Sequence, residues 1–320
     1  MIIKNSKTMN NSKYLNSNNN FIGLLAGFGG YTLFVLLDSI IKKYLVTNYS
    51  VFQINFFICF FSFIPTCLFL HFYSGWSVLI NNTIHIQLLR GVFGVVGGAF
   101  VVNSFIHHSF SEIYPILFSA PLILCVMSFF FLKEKVGYNR WAAVLVGFVG
   151  VLIVSRPGTI HFTLSLLGLF VSAFLMSVSV ILIRKYGNNQ SSIAFTFYGF
   201  LSATIINGIL CSQNYNPLTQ FDIYIFIFCG VIIGMAGLFI SVSARTLESS
   251  IFAPIQYSQL IAGLILGYLF FRDLPDLFEI IGSIIIILSG IFIIYIDTQS
   301  GIRPFTSKVS RVRDMFNRGH

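Results

Sequence analysis

The sequence predicts an all-α integral membrane protein with ten transmembrane helices arranged as two inverted five-helix repeats. Three observations carry this: apolar runs long enough to span a bilayer fill most of the chain, two stretches repeat each other at a constant offset, and the basic residues gather on one side of the spans. Composition agrees, with 56% of 320 residues hydrophobic, 9% charged and a mean hydropathy of +0.86. A soluble domain carries about 25% charged residues, so this chain has too few to cover a water-facing surface.

Runs of about 20 apolar residues place the spans. They fall at 21–41, 51–71, 88–106, 111–132 and 139–155 in the first half. The second half holds 162–183, 191–211, 221–243, 248–271 and 276–296. The first repeat is expected over 21–156 and the second over 162–297, with a polar, Asn-rich N-terminal tail over 1–20 and a basic tail over 298–320. Residues 1–20 do not read as a cleavable signal, because no small-residue cleavage site follows Lys4, Lys7 and Lys13 and the apolar run is one of ten alike. The basic tail from Arg303 to Arg318 lies on anionic lipid or in solution.

At an offset of 139 residues, Gly91 meets Gly230, Gly98 meets Gly237, Phe100 meets Phe239 and Ser104 meets Ser243. Further along, Ser111 meets Ser250, Pro115 meets Pro254 and Ser119 meets Ser258, and the match ends with Lys133 on Arg272 and Glu134 on Asp273. At an offset of 142, residues Ile41 to Tyr44 meet Ile183 to Tyr186. If the N-terminus is cytoplasmic, 15 of the 19 Lys and Arg residues lie inside, and Lys42, Lys43, Arg156 and Arg272 lie outside. This bias sets both termini in the cytoplasm. Five spans per half then force the second half to enter the membrane in the opposite sense to the first.

Glycines at 91, 94, 97, 98, 230, 234 and 237 permit close helix packing in lipid. Pro115, Pro121 and Pro254 each leave a carbonyl without its helical donor, a feature of bent spans and cavity walls. The net charge of +9 does not indicate nucleic acid, because the basic residues sit in short loops and tails. Cys59, Cys67, Cys125, Cys211 and Cys229 lie in spans without metal-ligand spacing and read as buried thiols. No Walker loop, HExxH or GxSxG occurs, so no cofactor, metal or enzymatic activity is expected.

An ordered set of short motifs resembles the drug/metabolite transporter superfamily, in its EamA-type branch of ten-helix carriers, from Phe21 to Asp297. Asp38 with Lys43-Tyr44, Leu89-Arg90-Gly91, Ala120-Pro121-Leu122 and Glu134 with Trp141 carry it in the first half, followed by Gly147-Phe148-Val149-Gly150. Phe197-Tyr198, Ala253-Pro254 with Tyr257, Gly267-Tyr268, Leu274-Pro275-Asp276 and Gly282 carry it in the second. The resemblance implies a secondary active transporter of a small metabolite across the bacterial inner membrane, working by alternating access. Its pattern is similar to S-adenosylmethionine uptake carriers, while related carriers move riboflavin or amino acids. Two positions depart from the branch: Phe56-Phe57-Ile58 lacks an arginine, and Gln256 replaces a charged residue two after Pro254. The expected partners are the bilayer, a small-molecule substrate and a coupling proton or counter-substrate. The sequence does not fix the oligomeric state.

Ionisable groups inside spans are costly and mark pathways. Asp38 reads either as an i,i+4 partner of Lys42 or as a proton-coupling or cation-binding carboxylate. Glu112 is either a solvated acid at a helix N-terminus or a contact for a cationic substrate. Arg90 and Arg245 snorkel at span ends or act in gating, Arg245 with Glu248. His107 and His108 border a short outer loop and read as loop residues. Gln256, Tyr257 and Gln259 are the preferred ligand surface, completed by Tyr198 and Asn103, since amides and phenols hydrogen-bond a nucleoside or amino-acid moiety and aromatic faces attract a sulfonium or ammonium group. The alternative class is a membrane structural protein of the same fold without transport.

Overall fold

The computed structural model describes residues 3–80, 84–132, 137–156, 163–186, 192–246, 255 and 258–299. Among them every regular element is helical. The first half contains α1 (Ile3–Ile40), α2 (Val51–Phe61), α3 (Phe63–Phe69), α4 (Ile84–Ser104), α5 (Phe110–Leu117), α6 (Ser119–Leu132) and α7 (Tyr138–Ser155). The second contains α8 (Leu164–Tyr186), α9 (Ser192–Cys211), α10 (Gln220–Thr246), α11 (Ser258–Phe271) and α12 (Leu277–Gln299). Joining the broken helices gives ten apolar segments among the described residues. Five are long enough to cross a bilayer by themselves, Phe21–Leu45, Val51–Ser74, Ile84–Ser104, Phe110–Phe131 and Gln220–Ile240, and five more are shorter. The first helix starts at Ile3, so it runs through most of the polar segment that precedes the candidate span Phe21–Leu45.

Three irregularities interrupt runs that read as single spans. Pro65 has no N–H for the carbonyl of Phe61, and the second span divides at Ser62 into α2 and α3. Pro121 withholds the donor for Leu117, and the fourth span divides there into α5 and α6. The end of the first span widens into a π-turn over Ile41–Leu45, with the N–H of Val46 donating to the carbonyl of Ile41 at 3.1 Å.

Each helix has a lipid face and a bundle face. On α8, Leu164, Leu167, Val171 and Phe174 are exposed at helical spacing, while Leu166, Leu169, Ser172, Ala173 and Ser177 are buried. In lipid the exposed apolar set has its solvent, and the bundle face is held by close approach of small residues instead of by hydrophobic segregation. Some buried hydroxyls in the spans are absorbed locally: Ser39 donates to the carbonyl of Val35 and Ser155 to that of Val151.

The packing is symmetric under exchange of the halves. Helix α1 packs on α10 as α8 packs on α4, α2 and α3 pack on α10 as α9 packs on α4, and α7 pairs with α12. The glycines of the 139-residue repeat occupy matching environments. A Cβ on Gly91 would strike Ser202 of α9, and one on Gly230 would strike Phe61 of α2. At Gly98 it would lie 3.7 Å from Asn55 of α2, and at Gly237 it would lie 3.6 Å from Thr196 of α9. Equivalent helices run antiparallel: Gly147 faces Ser289 while Arg156, at the other end of α7, pairs with Asp276 at the start of α12. The repeat is therefore inverted.

Candidate functional site: an acidic cavity and a cross-half polar layer

One end of the bundle carries the connections at 46–50, 105–109, 212–219 and 272–276. It is the end that the Lys and Arg distribution assigns to the outside. Here several polar contacts cross from one repeat to the other. Gln53 Nε2 donates to the carbonyl of Asn216 at 2.6 Å, and the N–H of Asn216 returns a bond to Gln53 Oε1 at 3.0 Å. Tyr49 donates to Asp222 Oδ2 at 2.5 Å, beside the Thr219 hydroxyl. Burial, and then the Asp222 carboxylate that accepts its bond, pushes the Tyr49 phenol up to about 12, so it stays a donor.

Lys42 sits in the π-turn and does not pair with Asp38, contrary to the i,i+4 expectation. Its ammonium donates to the carbonyl of His108 at 2.6 Å, lies 3.7 Å from Asp273 Oδ2, and is flanked by the rings of Phe110 and Phe271 at 5.0 and 4.8 Å. The wider turn changes the angular step between residues 38 and 42, so the helical-face rule fails there. Asp38 instead accepts a 2.8 Å bond from Tyr114 of α5. Tyr114 is buried against Phe110, and its ring fills the space over Gly263 of α11, where a Cβ would come within 2.4 Å. Asp38 is thus held at the meeting of α1, α5 and α11.

His107 and His108 both lie in the connection between α4 and α5, as read from the sequence, but the His107 side chain is exposed whereas that of His108 is buried. Its Nδ1 lies 2.6 Å from Glu112 Oε2, and its Nε2 lies 2.7 Å from Thr163 Oγ1 and 2.8 Å from Ser165 Oγ. The available signal was the i,i+4 spacing of His108 and Glu112. His108→Ala is expected to remove the hydrogen bond to Glu112, worth at most about 1.5–3 kcal/mol for a charged partner and less at a carboxylate that is one-third exposed, while Thr163 and Ser165 keep the 2.8 Å bond between them. A thermal unfolding midpoint equal to wild type would contradict this.

Glu112 also borders two cavities. The larger, about 540 Å3, is lined by Phe100, Asn103, His107, His108, Glu112, Thr163, Leu164 and Ser165. The smaller, about 140 Å3, is bounded by Arg156, Asp276 and Glu279 among others. Arg156 closes α7 in a left-handed conformation, pairs with Asp276 and lies 4.7 Å from the Phe278 ring centre. Asp276 and Glu279 form reciprocal caps on α12, each accepting the other's backbone N–H at 2.9 Å.

Of the residues singled out from the sequence, the structure brings Asn103 and Glu112 into one cavity and sets Asp38 against Tyr114. Tyr198 donates to the carbonyl of Leu79 at 2.9 Å and does not line either cavity. Gln259 is half-buried on α11, and Arg90 half-buried on α4. Gln256, Tyr257, Glu248, Glu134 and Pro254 lie outside the described residues, as does the side chain of Arg245. Cys211 and Cys229 are buried free thiols, while Cys59 and Cys67 are half-buried. No group of metal-ligating side chains occurs among the described residues.

Paired inverted halves are the architecture of many membrane carriers. The EamA-like transporter family model matches residues 21–156 and 163–296, one copy for each half, and the chain belongs to that family. It is a membrane protein whose family transports small molecules, a transporter rather than an enzyme. It is 26% identical over 287 residues to an S-adenosylmethionine uptake transporter of Rickettsia felis, covering 89% of this chain and 97% of the relative. It is 28% identical over 189 residues to a riboflavin transporter of Vibrio cholerae, covering 59% and 63%. A crystal structure of a protein at 14% identity superposes with a TM-score of 0.61, covering 87% of this chain and 98% of the other, and shares its fold.

Proposed function

We propose that this protein is a secondary active transporter that takes up or exchanges S-adenosylmethionine across the bacterial inner membrane, with both termini in the cytoplasm. The observation that carries the reading is the symmetric pairing of two inverted repeats in a chain that matches S-adenosylmethionine uptake transporters over nearly their full length. The geometry supports an alternating-access reading: the polar contacts at the outer end join the halves, and rocking one half on the other would break those bonds and open that end.

Asp38 is the coupling group. It is a carboxylate in the first span held by a phenol and no cation, so gain of a proton or of a cationic substrate changes its charge at a point where α1, α5 and α11 meet. Arg90 and Arg245 are assigned to gating at the inner end. Gln256, Tyr257, Gln259, Tyr198, Asn103 and Glu112 are the proposed ligand contacts. The coupling partner is a proton or a counter-substrate.

Labelled S-adenosylmethionine uptake into proteoliposomes with defined interior pH and substrate tests the assignment. Saturable uptake competed by S-adenosylhomocysteine supports it. No uptake by folded protein removes that substrate, and competition by riboflavin with no effect of S-adenosylhomocysteine favours the second reading, drawn from the Vibrio relative.

A further inference from the structure

Each basic side chain within the polar layer at the outer end is already committed. Lys42 is turned to the His108 carbonyl and Asp273, and Arg156 to Asp276 and the Phe278 ring. His108 uses both ring nitrogens, one on Glu112 and the other on the hydroxyls of Thr163 and Ser165. That wiring is complete with a single ring proton: Nδ1–H donates to the carboxylate, and Nε2 accepts from a hydroxyl. Glu112 then keeps its negative charge while its side chain stays 33% exposed at the junction of the two cavities.

Around this carboxylate the larger cavity offers a particular chemistry. Phe100 supplies an aromatic wall for a cation, and Asn103, Thr163 and Ser165 supply donors and acceptors for a polar body. Its volume of about 540 Å3 falls within the roughly 300–1,000 Å3 of small-molecule sites. We propose that this outer cavity is a capture site for solutes that carry a positive charge beside a hydrogen-bonding body, with Glu112 as the anchor and His108 as its positioning residue. The proposal rests on the reading of the chain as a metabolite carrier. It separates first binding at the outer end from the deeper pair of Asp38 and Tyr114.

The test reads the charge of the cavity without requiring transport. Leu164 lines the cavity and is 83% exposed, so Leu164→Cys places a reactive thiol there. Its rates of modification by a trimethylammonium-ethyl and by a sulfonato-ethyl methanethiosulfonate are compared in detergent-purified protein, with the unsubstituted protein as background. With each rate normalised to that reagent's rate on a small free thiol, the cationic reagent is expected to be accelerated about fivefold and the anionic one slowed by a similar factor, the effect of one charge at about 4 Å in a water-like medium. The preference should vanish in the Glu112→Gln background. S-adenosylmethionine should slow the cationic reagent more than the neutral thioether S-adenosylhomocysteine does.

Equal normalised rates for both reagents with Glu112 present, or a preference unchanged by Glu112→Gln, would overturn the proposal. Both variants are checked by unfolding midpoint, and Glu112→Asp, which keeps the charge, is expected to retain the preference. Retained S-adenosylmethionine uptake without a charge preference sinks the capture site alone. A charge preference without uptake of any cationic metabolite sinks the carrier reading and leaves the cavity's chemistry standing.

Discussion

Gly230→Val is expected to deprive the membrane of folded protein, whereas Gly94→Ala is expected to be silent. A Cβ at Gly230 would lie 2.3 Å from the Cβ of Phe61 and 2.8 Å from its backbone carbon, so relief requires moving α2 bodily away from α10. Overpacking of this kind costs about 1–3 kcal/mol when side chains alone can adjust, and a backbone obstacle puts this site at the upper end or beyond. Gly94 has nothing within 4 Å of its added Cβ, although both glycines belong to the same small-residue pattern. The measurement is the thermal midpoint and monodisperse yield in mild detergent. Equal behaviour of the two variants would show that the halves are not in the contact described.

Asp38→Asn is expected to abolish most uptake while leaving the fold intact. The amide has the shape of the carboxylate and its carbonyl still accepts from Tyr114, so the local packing of α1, α5 and α11 survives. What is lost is the charge. A charge-assisted hydrogen bond is worth about 1.5–3 kcal/mol, so losing it from a step of the cycle slows that step about ten- to hundredfold. Tyr114→Phe should be milder, since Asp38 keeps its charge and loses one donor. Initial rates at saturating and limiting substrate separate a slowed cycle from weakened binding. Wild-type rates in Asp38→Asn would remove the carboxylate from the mechanism.

Much of the fold was legible because lipid leaves the chain few choices. Backbone groups must be satisfied within each segment, so ten apolar runs read directly as helices, and inversion follows from an odd number of spans per half. The constant 139-residue offset proved to be spatial as well as textual, for Gly91 and Gly230 are pressed against equivalent helices of the opposite repeats. Local defects were less legible. The break at Phe118 precedes Pro121, which the sequence marks as a place where a span bends, whereas the break at Ser62, before Pro65, lies in sequence whose hydropathy is continuous.

The site was legible in part, for a different reason. Residue type and span position pointed to Asp38 and Glu112, because a carboxylate in a span needs an explanation. Their partners were not legible. Tyr114 and Asp273 are far from Asp38 and Lys42 in sequence, and the one local pairing rule available failed at the π-turn. His108 does lie in a loop, and the burial of its side chain was not legible because two of its partners, Thr163 and Ser165, come from the other repeat.

A carrier that exposes its site to one side at a time is distinguished from an open pathway by counterflow. Proteoliposomes loaded with unlabelled S-adenosylmethionine are diluted into a trace of the labelled compound without ATP or an ion gradient. A carrier produces a transient accumulation of label above its equilibrium level, and this account predicts that overshoot for the wild-type protein. Label that enters only to equilibrium, with the protein folded, would indicate an open pathway and contradict alternating access.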